Sequence, residues 1–203
     1  MSAGRLVAFE GTDGSGKSTQ ARLLADHLGA VLTREPGGTV LGARVRAIVL
    51  EAEDHGLADR AEALLMAADR AQHVAEVIAP ALVAGRHVVT DRFLGSSLAY
   101  QGFGRGLPVE EIRRLSLWAT AGLQPDVVVL LAVDRGEARA RIGLGRDRLE
   151  TAGAAFGDAV AQGYAELAEA DPGRWVQVPG EGTVAEVELR VRAVVTERLG
   201  LLS

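Results

Sequence analysis

Short runs of consecutive apolar residues alternate along this chain with longer stretches in which apolar residues recur every three or four positions. Leu6 to Phe9 is one such run and stops at a glycine-rich turn, the pattern of a parallel strand buried on both faces. A helix is predicted from Lys17 to about Leu28, with Leu23, Leu24 and Leu28 on one face. Val31 to Arg34 reads as a second strand, closed by Glu35-Pro36-Gly37-Gly38, which can continue neither a helix nor a central strand. Helical periodicity returns from about Val40 to Leu50 and from about Arg60 to Ala84, where Pro80 kinks the helix or splits off its last turn. His87 to Thr90, Val127 to Val133 and Trp175 to Val178 supply the third, fourth and fifth strands, and Val184 to Leu199 a final helix. Arg135 to Ala170 reads as helical apart from the polar segment Gly143 to Arg148. Strands alternating with helices predict an α/β fold: a mostly parallel five-stranded sheet with helices on both faces.

Length and composition narrow this picture. The chain's 203 residues fit a single domain, 1–203, without repeats or linkers. Its net charge of −5 and pI near 5.4 argue against a nucleic-acid polymer as partner, because such a surface needs a basic field. A small anion remains open to it through a local group of arginines. There are no cysteines, which removes disulfides, thiolate metal sites and thiol nucleophiles and suits a reducing compartment. The longest apolar run, Val127 to Val133, is far short of the ~20 residues that span a membrane. Met1 to Arg5 lacks the regions of a signal peptide, so the cytoplasm is the expected location.

The 25 glycines, many in short clusters, read as loop and phosphate-site residues. Gly11-Thr12-Asp13-Gly14-Ser15-Gly16-Lys17-Ser18 matches the full phosphate-loop pattern, with Thr19 next in the following helix. Glycines let backbone N–H groups approach phosphate oxygens without a Cβ in the way. Lys17 would place a cation on the β- and γ-phosphates, and Ser18 a hydroxyl on Mg²⁺. The apolar strand before the loop and the amphipathic helix after it are the context this motif requires. Further on, Asp91 and Arg92 follow a strand and so fall at the carboxyl edge of the sheet, where α/β proteins bind ligands. The planar fork of Arg92 suits bidentate phosphate binding, and Asp91 could hold a water bound to Mg²⁺.

Four further segments give the loop a context. Thr33-Arg34-Glu35-Pro36-Gly37-Gly38-Thr39, Leu64-Leu65-Met66-Ala67-Ala68-Asp69-Arg70, Asp91-Arg92-Phe93 and Ser97-Leu98-Ala99-Tyr100-Gln101-Gly102 together closely resemble the thymidylate kinases of the bacterial type, in the family's order and approximate spacing. The resemblance runs from Leu6 to about Val187. It implies a single-domain P-loop kinase with a mobile lid at about 142–151, which transfers the γ-phosphoryl group of ATP to dTMP with Mg²⁺ and acts as a homodimer packed through helices such as that from Arg60 to Ala84. It further implies that Arg92 and Arg46 grip the acceptor phosphate, and that Arg70 and Ser97, helped by Gln101, bond the thymine edge. By the same resemblance Tyr100 packs on the deoxyribose, Asp13 accepts from the 3′-hydroxyl, and Glu35 and Pro36 shape the pocket wall.

Two positions depart from the family pattern. Met66 stands where a phenylalanine usually stacks on thymine; its thioether can cover a ring face with less area and more freedom, or it is a core residue. Gly14 stands where some members carry a phosphate-loop arginine, so the transferring group needs a cation from the lid, where the usual position falls on Gly143. Arg146 and Arg148 are the nearest candidates, with Arg139 and Arg141 earlier on the helix; flexibility at Gly143 and Gly145 favours Arg146 over Arg148, and Arg139 is assigned to ATP. Three rivals share the phosphate loop: a kinase for another monophosphate such as dUMP, a biotin-pathway ligase whose loop also begins Gly-Thr-Asp, and a regulatory ATPase. The Asp-Arg-Phe and Ala-Tyr-Gln segments oppose the second, and the lack of a basic stripe opposes the third.

Overall fold

The structure, a computed structural model, describes residues 3–51, 56–141 and 153–201. Strands β1 (Leu6–Glu10), β2 (Val31–Arg34), β3 (Val88–Asp91), β4 (Val127–Ala132) and β5 (Trp175–Pro179) pair in parallel in the order β2-β3-β1-β4-β5. Each predicted strand is present, with ends displaced by a residue or two. The continuous apolar runs have a direct cause: β1 and β4 feed two cores. Leu6, Ala8, Val128 and Leu130 enter one, while Val7, Phe9, Val127, Val129 and Leu131 enter the other.

Helices α1 (Lys17–Leu28) and α9 (Val184–Leu199) cover the second face, where Ala21, Leu24, Val187, Val191 and Val195 pack on the strands. Thr183 starts α9 with a capping box, its hydroxyl accepting from Glu186 N–H and the Glu186 carboxylate accepting from Thr183 N–H. The first face carries α3 (Asp59–His73), the short α4 (Ala79–Val83) and α5 (Leu94–Ser97), and α8 (Ala154–Ala170), which supplies Val160, Tyr164 and Leu167. Between α3 and α4 the chain makes a wide π-helical turn, Val74–Ile78, just before Pro80, which has no N–H to continue the ladder. The region predicted as one helix is therefore built in three pieces. Similarly, α2 (Val40–Arg46) passes into a π-helical turn, Ala47–Glu51.

Residues 94–119, to which periodicity assigns no element, are almost wholly helical. After α5 the π-helical turns Leu98–Gly104 lead to α6 (Val109–Ala119). Local propensity hides this because Gly95, Gly102 and Gly104 interrupt it. Gly104 is there for packing: a Cβ at that position would lie 2.6 Å from the Phe156 ring of α8. Helix α7 (Arg135–Arg141) follows β4 as predicted. The proposed lid, with Gly143, Arg146 and Arg148, lies outside the described residues, as does the side chain of Arg139. Among the described residues, no helix is long and apolar enough to cross a membrane.

Candidate active site

Strand β1 delivers the phosphate loop to the carboxyl edge of the sheet. Gly14 (φ 79°) and Gly16 (φ 92°) take the left-handed region, which lets the loop turn back before α1. No side chain caps α1, so its first N–H groups remain available to an anion. Lys17 is buried, and its Nζ donates to Thr12 O at 2.7 Å. Burial first and the Arg92 charge second pull the Lys17 ammonium down to about 8, against the opposing pull of Asp13.

The second half of the site is built on the turn after β3. Arg92 adopts φ 71°, unusual for a residue with a Cβ, and the turn is held from several sides. Its N–H donates to Phe9 O at 2.9 Å, and its carbonyl accepts from Thr90 Oγ1 at 2.9 Å. Glu10, fully buried at the end of β1, accepts from Phe93 N–H and Ser96 N–H at 3.0 Å each and from Ser96 Oγ at 2.6 Å. Burial raises the Glu10 pKa, while these donors and the Arg92 charge oppose the rise.

The Arg92 guanidinium is thoroughly engaged. One terminal nitrogen donates to Gly11 O (3.2 Å), Ser96 Oγ (3.1 Å) and Tyr164 OH (3.1 Å); the other donates to Asp13 Oδ1 and to Tyr100 OH (3.2 Å). Tyr100 in turn donates to Asp13 Oδ2 at 2.8 Å, closing an Asp13–Arg92–Tyr100 triangle. Burial would raise the Asp13 pKa, but the Arg92 and Lys17 charges outweigh it and bring the carboxyl to about 2. Asp13 is therefore an ionised orienting group and a poor proton acceptor at neutral pH.

A cavity of about 620 Å³ joins the two halves. Residues from Asp13 to Gln20 form its floor, and Glu35, Pro36, Arg46, Met66, Asp91, Arg92, Tyr100 and Gln101 line the opposite end. Met66 also packs on Val45 and Val49, so one side chain serves both the wall and a small core. Arg46 donates to Pro36 O at 3.2 Å across the turn that holds the cis Glu35–Pro36 bond. Gln101 donates through Nε2 to Glu62 at 2.8 Å, and its buried Oε1 has no partner among the described residues.

Arg70 and Ser97, expected on the base edge, are not among the lining residues. Arg70 is fully buried, donating to Glu35 Oε2 (2.8 Å), Ser116 Oγ (3.2 Å), Phe93 O (3.1 Å) and Ser97 Oγ (3.0 Å). The partners explain the depth: a buried guanidinium is tolerated where its charge meets a carboxylate and its N–H groups meet acceptors. His73 joins the same carboxylate through Nδ1, 2.9 Å from Glu35 Oε1. Ser96, the neighbour of Ser97, does line the cavity, beside Arg92. Arg34, Gly180 and Gly182 also line it without a role having been assigned to them from the sequence, and so does Arg141, one of the arginines weighed as the further cation. Arg141 donates to Gly180 O at 3.3 Å, linking α7 to the turn after β5 beside the phosphate loop. Sequence reasoning also missed Glu10 and Tyr164. A glutamate closing an apolar strand was the available signal for Glu10; Tyr164 is an aromatic on a helix and carried none.

The residues expected at a metal fit one. Ser18 Oγ donates to Asp91 Oδ2 at 2.5 Å, and Asp91 Oδ1 is buried without a hydrogen-bond partner among the described residues. A hydroxyl and one carboxylate beside a phosphate loop are a donor set suited to Mg²⁺, which keeps waters and leans on substrate phosphates.

Comparison with known proteins points to one family. Residues 9–191 match the family model described as thymidylate kinase. The chain is 50% identical over 197 residues to a thymidylate kinase of Leifsonia xyli subsp. xyli, covering 93% of each chain. It is 48% identical over 199 residues to one of Bifidobacterium longum subsp. infantis, covering 94% of this chain and 85% of the relative. The crystal structure of thymidylate kinase from Ehrlichia chaffeensis superposes with a TM-score of 0.78 at 31% identity, covering 95% of this chain and 99% of the other.

The lowered pKa of Lys17 has a measurable consequence. Phosphate charge on the loop favours the ammonium, so a triphosphate binding near pH 8 should take up as much as about half a proton. Calorimetry of ATP binding in buffers of different ionisation enthalpy should show this uptake near pH 8 and little of it near pH 6.5, with affinity falling above pH 8. Lys17→Arg should abolish the uptake, since guanidinium stays protonated. Equal uptake in both proteins would remove Lys17 as its source.

Proposed function

The chain belongs to the thymidylate kinase family and is an ATP-dependent dTMP kinase, and we propose that the two ends of its cavity hold the two nucleotides. ATP phosphates lie on residues Gly11 to Thr19, and dTMP lies between Arg92, Arg46, Tyr100, Gln101, Met66 and the Glu35–Pro36 turn. The observation that supports this division is the continuity of the cavity from Lys17 to Arg92 and Gln101. Phosphoryl transfer asks for alignment and charge neutralisation more than for covalent help, and a phosphate acceptor is already ionised, so no general base is needed.

Each side chain then has a physical task. Lys17 neutralises the transferring group. Arg92 meets the acceptor phosphate through the terminal nitrogen that faces Tyr100, while the other stays on Gly11 O, Ser96 and Tyr164. Asp13, ionised and bonded to Arg92 and Tyr100, orients the arginine and accepts from the 3′-hydroxyl. Tyr100 packs against the deoxyribose, and Met66 covers a face of the base. Arg70 and Ser97 contribute to the base end from the layer behind Glu35 and Gln101. Mg²⁺ bound with ATP would be held by Ser18 and Asp91, and supplies charge neutralisation on the phosphates. Arg146, with Arg148 second, supplies the further cation that Gly14 does not, and Arg139 and Arg141 serve the ATP side.

The same reading makes the protein a cytoplasmic homodimer. Trp118 on α6 and Leu64 on α3 are 81% and 59% exposed on neighbouring helices, apolar surface that a second copy would cover.

Three outcomes are expected. ADP release from ATP should depend on added dTMP, and Lys17→Ala should lose at least about tenfold in kcat, since contacts to transferring phosphates carry decades of rate. ADP release that ignores dTMP would sink the kinase reading. In single-turnover experiments Arg146→Ala should lose roughly 10²-fold in rate with little change in KM for dTMP, and more than Arg148→Ala. If both variants behave normally, the lid-arginine proposal fails. Sedimentation should give a dimer, shifted towards monomer by Trp118→Glu; a wild-type monomer would overturn that assignment.

A further inference from the structure

Tyr164 lies on α8, 72 residues from Arg92 in sequence, and does not line the cavity. Its ring belongs to the apolar core and meets the Tyr100 ring edge-on, with centroids 6.3 Å apart. Phenylalanine would fill that space equally well, so the hydroxyl needs its own explanation. A buried hydroxyl needs a single partner to offset its desolvation. This one has two, accepting from the Arg92 guanidinium at 3.1 Å and donating to Glu10 Oε2 at 3.1 Å, with Ser96 Oγ a further 2.9 Å neighbour. Burial keeps the phenol protonated.

The direction of these bonds matters. Glu10, as a carboxylate, can only accept, so it draws the protons of Ser96 and Tyr164 towards itself. Both hydroxyl oxygens are thereby turned with their lone pairs towards the same Arg92 nitrogen, which donates to each at 3.1 Å. The Asp13 and Tyr100 contacts use the other terminal nitrogen. Arg92 is thus held through both terminal nitrogens: one by Asp13 and Tyr100, the other by Gly11 O together with Ser96 and Tyr164, whose hydroxyls Glu10 orients.

We propose that Tyr164 is a positioning residue for the acceptor nucleotide, its hydroxyl setting the orientation of Arg92 and itself oriented by Glu10. The proposal rests on the assignment of Arg92 to the acceptor phosphate. It predicts an effect confined to one substrate, because the hydrogen-bond partners of the Tyr164 hydroxyl are Arg92, Ser96 and Glu10, whereas Lys17 is held by Thr12 O and Ser15 Oγ. A guanidinium freed on one side would sample orientations that miss the phosphate, which weakens acceptor binding and misaligns the nucleophile together.

Steady-state kinetics of Tyr164→Phe test this. The KM for dTMP should rise about tenfold and kcat should fall several-fold, while the KM for ATP stays within about twofold. Glu10→Gln keeps the side chain's shape but lets it donate as well as accept, and should give the same split. The double variant should be little worse than either single one, since both break the same relay. Equal rises in both KM values, or kinetics like wild type in a folded Tyr164→Phe protein, would overturn the proposal. Should Tyr164→Phe not fold, Glu10→Gln carries the test with the same outcomes. Arg92→Lys, measured alongside, separates the two layers: normal dTMP kinetics there would remove the Arg92 assignment, whereas an impaired Arg92→Lys beside a normal Tyr164→Phe removes only the role of Tyr164.

Discussion

A single buried carboxylate ties the sheet to the chemistry. Glu10 ends the central strand and sits where the chain leaving β3 must reverse to enter α5. Without it, the Phe93 N–H would lose its carboxylate acceptor, a buried loss of about 1–3 kcal/mol, and the Ser96 N–H would keep only the longer bond to Phe93 O at 3.2 Å. With it, Phe93 and Ser96 are pinned on one side of Arg92 while Phe9 O and Thr90 pin the arginine itself, and the left-handed φ becomes the conformation that satisfies every neighbour. A Cβ at Gly95 would lie 2.7 Å from Glu10 Oε1, so the close approach also dictates a glycine. The carboxylate therefore fixes a backbone turn, and through Ser96 and Tyr164 a guanidinium.

An acidic protein thereby presents a locally cationic cavity. Burial and the nearby Arg92 charge depress the Lys17 ammonium, while the same two cations hold Asp13 ionised. Such an arrangement is costly when empty of anions, since two cations are held in a poorly solvated space. Phosphate groups relieve that repulsion, so binding energy comes from charges the fold has already brought together. The same balance explains why Asp13 is an orienting group: a carboxylate stabilised this far in its ionised form has little appetite for a proton.

Behind the base end lies a second layer of buried polarity along α3. Glu62, Asp69, Arg70 and His73 are all fully buried at helical spacing with Met66 among them, where an ordinary amphipathic helix would place aliphatic groups. Glu35 meets Arg70 and His73, Glu62 meets Gln101 and Arg105, and Asp69 accepts from Gly37 N–H at 3.0 Å. Such networks stabilise little in net terms, but breaking one partner strands a buried charge at a cost of about 3–5 kcal/mol. They hold the wall of the pocket in one arrangement.

What the sequence determined by itself was whatever follows from local chemistry. Leu6 to Phe9 and Val127 to Val133 announce strands because a parallel sheet buries both faces. The phosphate loop is legible because glycine takes without strain the backbone angles that Gly14 and Gly16 need, and because Lys17 and Ser18 sit at fixed offsets from them. Asp91 and Arg92 announce themselves by following a strand. Tertiary structure decided the rest. The helices between 94 and 119 form against the local signal of Gly95, Gly102 and Gly104, because Glu10 holds their start and the rings of α8 press on Gly104. Arg70 looks like a residue that could reach a ligand; its depth is set by Glu35, which is 35 positions away. Ser96 and Ser97 are indistinguishable as letters, and it is the rotation of a short helix that gives one to the cavity and the other to Arg70. Tyr164 acquires a role only because α8 crosses the end of β1. Periodicity and motifs report what a residue needs from its immediate neighbours, whereas a buried charge or hydroxyl is defined by partners that only the folded chain brings within hydrogen-bonding distance.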